Sequence, residues 1–132
     1  MARAPADRRG AEQAGRDAET TAAAWLEARG WRILDRRARG RRGDGAGEID
    51  LVALDPTGAE PVVAFVEVKA RPTLTAALEA VTPAQRCRLA VAAEGWLATH
   101  PEHAAAGVRF DVVTVVPDRP PAHLPDAWRP EA

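Results

Sequence analysis

A chain of 132 residues makes one domain with room for a real core, and its 46% hydrophobic and 28% charged composition is that of a soluble globular protein. No apolar stretch approaches the ~20 residues that cross a bilayer, the segment from Met1 to Arg9 lacks the apolar centre of a signal peptide, and the single cysteine, Cys87, excludes an internal disulfide or a cysteine-cluster metal site. The cytoplasm is the expected compartment, with no membrane partner. The formal net charge of −1 conceals a segregation: residues 1–42 hold 11 arginines against 6 acids, and residues 43–132 hold 7 basic against 13 acidic side chains. A basic half suits a polyanion and an acidic half can hold a divalent cation, although uneven charge is common in an arginine-rich chain.

Residues 1–9, small, charged and interrupted by Pro5, read as a disordered N-terminus. From about Gly10 to Arg29 the spacing of Ala14, Ala18, Thr21, Ala22, Trp25 and Leu26 predicts a helix, closed by Gly30 just past its last turn. Trp31 to Leu34 reads as a short strand. Arg36, Arg37, Arg39, Arg41 and Arg42 then run into alternating glycines up to Gly47; like charges repel and glycine resists ordering, so a mobile basic loop is expected. Glu48 to Leu54 is a strand and Asp55-Pro56-Thr57-Gly58 a turn. Pro61 to Lys69, nearly all apolar, is a second strand buried on both faces, and the two form a hairpin. Thr82-Pro83-Ala84-Gln85 is a capping box, in which threonine accepts from the first turn and glutamine reaches back. The helix it opens runs to about Thr99, with Leu89, Ala92, Ala93, Trp96 and Leu97 inward. Val108 to Val116 is the last strand; the tail 117–132, with five prolines, is loose apart from Trp128. The order α, β, β, β, α, β makes residues 10–116 an α/β domain, a central mixed sheet flanked by helices.

Lys69 is the only lysine; the other 17 basic residues are arginine. Arginine serves for surface charge and phosphate contact, but its guanidinium stays protonated and presents a wide planar fork. A lone lysine therefore points to chemistry that needs a compact ammonium. Residues two apart on a strand share a face, so Glu67 and Lys69 project together from the buried strand. Ile49 and Leu51 are apolar, so Asp50 points away from their side, and strand pairing can stand it next to Glu67. Buried charges must be paired or bind metal. Mg²⁺ or Mn²⁺ favours oxygen ligands, and Asp50, Glu67 and the backbone carbonyl of Val68 could supply one side of an octahedron, with water and a phosphate oxygen completing it. Lys69 would orient the water and stabilise a pentavalent transition state. The competing reading is a plain buried ion pair of Lys69 with Glu67 or Asp50.

The combination resembles the PD-(D/E)xK nuclease superfamily, and more narrowly the bacterial YraN family, itself similar to archaeal Holliday junction resolvases. The residues that carry it are Ala18-Glu19, then Trp25 to Trp31, Gly47-Glu48-Ile49-Asp50-Leu51-Val52, Phe65-Val66-Glu67-Val68-Lys69-Ala70-Arg71, Glu79-Ala80-Val81-Thr82 and Arg109-Phe110-Asp111-Val112-Val113. The resemblance implies a restriction-endonuclease-like three-layer sandwich. It implies metal-dependent hydrolysis of phosphodiesters in branched or structured DNA, with Asp50, Glu67 and Lys69 as the catalytic core. Glu19 matches the acid that resolvase-like members place on the first helix; without the resemblance it reads as a solvent-facing glutamate. A homodimer suits symmetrical cutting of two strands. The family's asparagine before Gly-Glu-Ile-Asp-Leu and its Phe-Gly after the lysine segment have no counterpart here.

Arg36, Arg37, Arg39, Arg41 and Arg42, with Arg71, are expected to neutralise backbone phosphates, DNA being favoured over RNA. Arg86 and Arg88 are weaker candidates, and Glu48 reads as a salt-bridge partner of the arginine loop. Gln85 is accounted for by its cap. The alternative function is a DNA-structure-binding module that recruits repair or recombination factors without cutting.

Overall fold

Val62–Lys69 (β3), apolar from its first residue until Glu67, lies in the middle of a five-stranded sheet. The computed structural model describes residues 5–39 and 47–130. Around β3 come a helix Pro5–Ala28 (α1), strands Arg32–Arg39 (β1) and Glu48–Asp55 (β2), and helices Leu74–Glu79 (α2) and Pro83–Ala98 (α3). A 3-10 turn, Pro101–His103, then precedes strands Gly107–Thr114 (β4) and Ala122–Trp128 (β5). The strands stand side by side in chain order, every neighbouring pair antiparallel except β3 and β4. A parallel pair needs a long crossover, and α2 and α3 occupy it.

The period-two pattern of β3 divides the core. Ala64 and Val66 join Leu51, Ala53 and Val113 beneath Ala22, Ala23 and Leu26 of α1. Val63 and Phe65 turn to the other face, with Val52, Phe110 and Val112, beneath Leu89, Ala92, Ala93 and Trp96 of α3. A mixed sheet covered by helices on both faces is the three-layer α/β architecture that the element order implies. The inward face of α1 is Glu19, Ala22, Ala23 and Leu26; Ala14 and Thr21, expected inward, are exposed.

Four boundaries differ from the sequence reading. The first helix starts at Pro5, inside the segment 1–9 read as disordered, because proline suits a helix's first turn; residues 1–4 lie outside the described residues. β1 continues to Arg39, through what reads as a loop. The repulsion argument fails there because each arginine meets an acceptor: Arg36 Nη2 donates to Thr20 Oγ1 (2.9 Å), Arg37 Nε to Glu19 Oε2 (2.8 Å) and Arg39 Nε to Glu48 Oε2 (3.0 Å). Arg41 and Arg42, with the glycines up to Ala46, lie outside the described residues. The short helix α2 escapes periodicity by its six residues; Thr73 caps it by accepting from the Ala76 amide (3.0 Å), and Ala77 is fully buried.

The fourth difference is β5, in the tail expected to be loose. Proline is tolerated on an edge strand, and Pro125 sits where the register with β4 shifts, between the pairs Phe110–Trp128 and Val112–Leu124. Two anchors hold the strand. Trp128 stacks on Phe110 (ring centroids 4.2 Å apart). Asp111, fully buried, accepts two bonds from Arg109 (2.8 Å each) and one from the Asp126 amide (3.0 Å), and its Oδ2 lies 2.8 Å from His123 Nε2. Arg109 also reaches Asp55 (2.9 Å), so one buried ionic cluster ties the end of β2 to β4 and β5.

Candidate active site

β2 and β3 pair regularly from Asp55–Val62 to Leu51–Val66. Beyond Leu51 the ladder gives way to a side chain: the Val68 amide donates to Asp50 Oδ2 (2.8 Å), and the Asp50 amide faces Glu67 Oε1 (3.4 Å). An aspartate is short enough to take a neighbouring strand's amide in place of a carbonyl. Ile49 packs in the α3-side cluster and Leu51 in the α1-side cluster, so β2 turns over at Asp50. The expectation that Ile49 and Leu51 share a face is therefore corrected. Asp50 meets Glu67 because the strand rotates its side chain into the gap, not because it alternates with two inward neighbours.

The β1 strand shows the same break opposite. Arg37 has φ 52°, a backbone region that residues other than glycine seldom adopt. Arg36 and Arg37 both reach α1, while Ala38 packs on the α3 side.

Glu67 continues the α3-facing series of Val63 and Phe65 and is 4% exposed. Lys69, two residues on, holds its Nζ 4.0 Å from Glu67 Oε2, beyond hydrogen-bond reach. Gln85 Nε2 lies 3.4 Å from the same oxygen. Glu19 is buried and ion-paired with Arg37 (2.8 Å) rather than solvent-facing. Arg39 pairs with Glu48 (3.0 Å), the partnership the sequence suggests for Glu48. Arg71 is exposed, its guanidinium near the Ala70 carbonyl (3.3 Å). Among the described residues, no cluster of three or more acidic, histidine or cysteine side chains is placed to hold a metal. The sequence reading missed what Gln85 touches. Its position three residues after Thr82 reads as a reciprocal cap, but only the threonine half forms: Thr82 Oγ1 accepts from the Gln85 amide (3.2 Å) while the Gln85 side chain turns to Glu67.

Burial raises the Asp50 carboxyl to about 6; the charge of Glu19 adds to this, while the Val68 amide and the Lys69 ammonium oppose it. Glu67 is pushed well above the usual carboxylate range, first by burial and then by the charge of Asp50, against the pull of Lys69. A raised native pKa means that the fold binds these protons more tightly than the unfolded chain does. The associated stability is complete below about pH 4 and is lost as the pH rises through about 6. Asp50→Asn, which keeps an oxygen for the Val68 amide, is therefore expected to stabilise the metal-free protein at pH 8 by on the order of 2 kcal/mol. The gain should vanish at pH 4. Thermal melts across pH check it; a variant less stable than wild type at pH 8 would show that the carboxylate supports the fold.

The protein is thus a three-layer α/β sandwich that brings two carboxylates and a lone lysine together where two strands diverge. The chain belongs to the uncharacterised protein family UPF0102, the YraN family, whose family model matches residues 18–115. It is 51% identical over 119 residues to a UPF0102 protein of Paramagnetospirillum magneticum, covering 90% of this chain and 89% of the relative. A Rhodopseudomonas palustris UPF0102 protein is 49% identical over 114 residues (86% and 82%), and one of Maricaulis maris 48% over 123 (93% and 91%).

Proposed function

We propose that the protein is a Mg²⁺- or Mn²⁺-dependent endonuclease of the restriction-endonuclease-like, PD-(D/E)xK kind, cutting phosphodiester bonds in branched or otherwise structured DNA. The observation that carries this reading is the Asp50 carboxylate seated on the Val68 amide beside buried Glu67, with Lys69 at the same strand end. The donor set fits such an ion. Mg²⁺ is commonly held by only one or two carboxylates, with water and substrate phosphate filling the remaining positions, and two carboxylates are what the site offers. An extended residue directs its N–H and C=O to the same edge of its strand, so the Val68 carbonyl, as third donor, faces the side where its amide meets Asp50. A divalent cation bound there supplies Lewis acidity to the scissile phosphate and to an attacking water.

The chain's own residues do the rest. Lys69 Nζ, not locked to Glu67, hydrogen-bonds the attacking water or a phosphate oxygen as negative charge builds, a contribution made mainly in the transition state. Glu19 acts from α1 on the electrostatics of Asp50. The exposed residues Arg36, Arg39 and Arg71 take backbone phosphates without reading sequence, and in the chain Arg41 and Arg42 continue that basic stretch. Arg37 is held by Glu19 in the DNA-free protein. A homodimer would present two such sites to a symmetric substrate. Among the described residues no helix is long and apolar enough to cross a membrane.

The test is a cleavage panel with Mg²⁺ and with Mn²⁺ on duplex, single-stranded, flap and four-way-junction DNA, alongside Asp50→Ala. Metal-dependent cutting of a branched substrate that the variant abolishes is expected. Binding without cutting by the wild type, under both metals and on every substrate, would overturn the nuclease reading in favour of a recruiting module.

A further inference from the structure

Glu67 is nearly enclosed, and its two oxygens are not met alike. Oε1 faces the Asp50 amide at 3.4 Å; Oε2 faces Gln85 Nε2 at 3.4 Å and, farther off, Lys69 Nζ at 4.0 Å. The nitrogen end of the Gln85 amide faces the carboxyl and donates to it. Gln85 comes from the first turn of α3, on the layer opposite α1, and Thr82 already satisfies its backbone N–H. The capping duty that its sequence position suggests is therefore not what its side chain performs. Pro83 opens the same turn, and Leu89 and Trp96 bury the helix against the sheet, which fixes where residue 85 stands relative to β3.

We propose that Gln85 is a positioning residue for the metal-holding carboxylate: from α3 it occupies Glu67 Oε2, which keeps Glu67 turned toward Asp50 and holds the Lys69 ammonium at 4.0 Å, without a hydrogen bond to that oxygen and with its donors open to phosphate or water. This rests on the nuclease reading above. Without the Gln85 donor, Oε2 is left to the nearest cation, Lys69, and closing that 4.0 Å gap to a bonded ion pair removes both a metal ligand's orientation and the free ammonium. Loss of an outer partner of a metal ligand typically lowers metal affinity or activity by about 10–100-fold.

The experiment compares Gln85→Leu, which keeps the bulk and deletes the donor, with Gln85→Asn, which retains a neutral amide donor at shorter reach. Three quantities are measured beside wild type: Mn²⁺ affinity by calorimetry, the melting temperature without metal, and kcat and KM on the best DNA substrate. For Gln85→Leu we expect Mn²⁺ affinity and kcat each down by about 10–100-fold, with KM unchanged and an unaltered melting temperature, because the Thr82 cap remains. Gln85→Asn should recover part of the Mn²⁺ affinity lost in Gln85→Leu. Wild-type Mn²⁺ affinity and kcat in Gln85→Leu, or equal losses in both variants, would overturn the assignment while leaving the nuclease reading standing. A wild type that neither binds Mn²⁺ nor cuts would overturn both.

Discussion

Lys69→Arg is expected to lower the cleavage rate by about 10²–10³, the usual loss when one well-placed transition-state donor is removed, with DNA affinity nearly unchanged. The charge is retained, so long-range attraction to phosphate survives. What changes is shape. The lysine stem ends in a compact ammonium 4.0 Å from Glu67 Oε2, with its side chain only 20% exposed. A guanidinium in that space presents a planar fork that matches a carboxylate two bonds at a time. It would close on Glu67 or Asp50 and lose the freedom to follow charge onto a phosphate oxygen. Single-turnover rates at saturating DNA, with binding measured separately, decide the matter; an arginine variant cutting at the wild-type rate leaves Lys69 as a structural cation.

The second large effect concerns stability. Asp111→Ala is expected to destabilise the fold by about 3–5 kcal/mol, the penalty for stripping one partner from a buried ionic cluster. Burial by itself would raise the Asp111 carboxyl; bonds from Arg109, His123 and the Asp126 amide outweigh it and hold the pKa below the usual value. The stabilisation from this group is thus present above the unfolded pKa of about 4 and is lost as the pH falls through the lower native value, the opposite sense to Asp50. Removing Asp111 strands the Arg109 guanidinium with Asp55 alone and frees the Asp126 amide that shapes the β5 bulge. Urea melts of wild type and variant at pH 7 measure the loss. A change below about 1 kcal/mol, the scale of an exposed salt bridge, would mean that β5 is held by Trp128 on Phe110 without the ionic cluster.

The central hairpin and its charges are legible in the sequence because a buried strand has a strict period of two. Val63, Phe65, Glu67 and Lys69 must share a side, and the only acids near enough in a preceding strand are Glu48 and Asp50. The α3 core positions Leu89, Ala92, Ala93 and Trp96 are legible for the parallel reason at helical spacing. Other features depend on partners distant in sequence. β5 contains Pro125, directly follows Pro121 and shows no alternation, and is held by Asp111 and Phe110 from β4. The second half of β1, from Arg36, reads as a loop because its arginines look mutually repulsive; the acids that settle Arg37 and Arg39, Glu19 and Glu48, lie on α1 and β2. The rotation of β2 at Asp50 is invisible to periodicity, since Ile49 and Leu51 look like one face and lie on two. Gln85 fits a local cap so well that its contact with Glu67, 18 residues earlier, has no signal of its own in the chain.

Titration with Mn²⁺ addresses the two-carboxylate site most directly, because it needs no knowledge of the DNA substrate. Calorimetry on wild type, Asp50→Ala and Glu67→Ala, each first shown to be folded by its melt, should give one saturable site per chain in the wild type and none in either variant. Binding of equal affinity and stoichiometry in all three proteins would contradict the account and leave Asp50, Glu67 and Lys69 as a buried structural network.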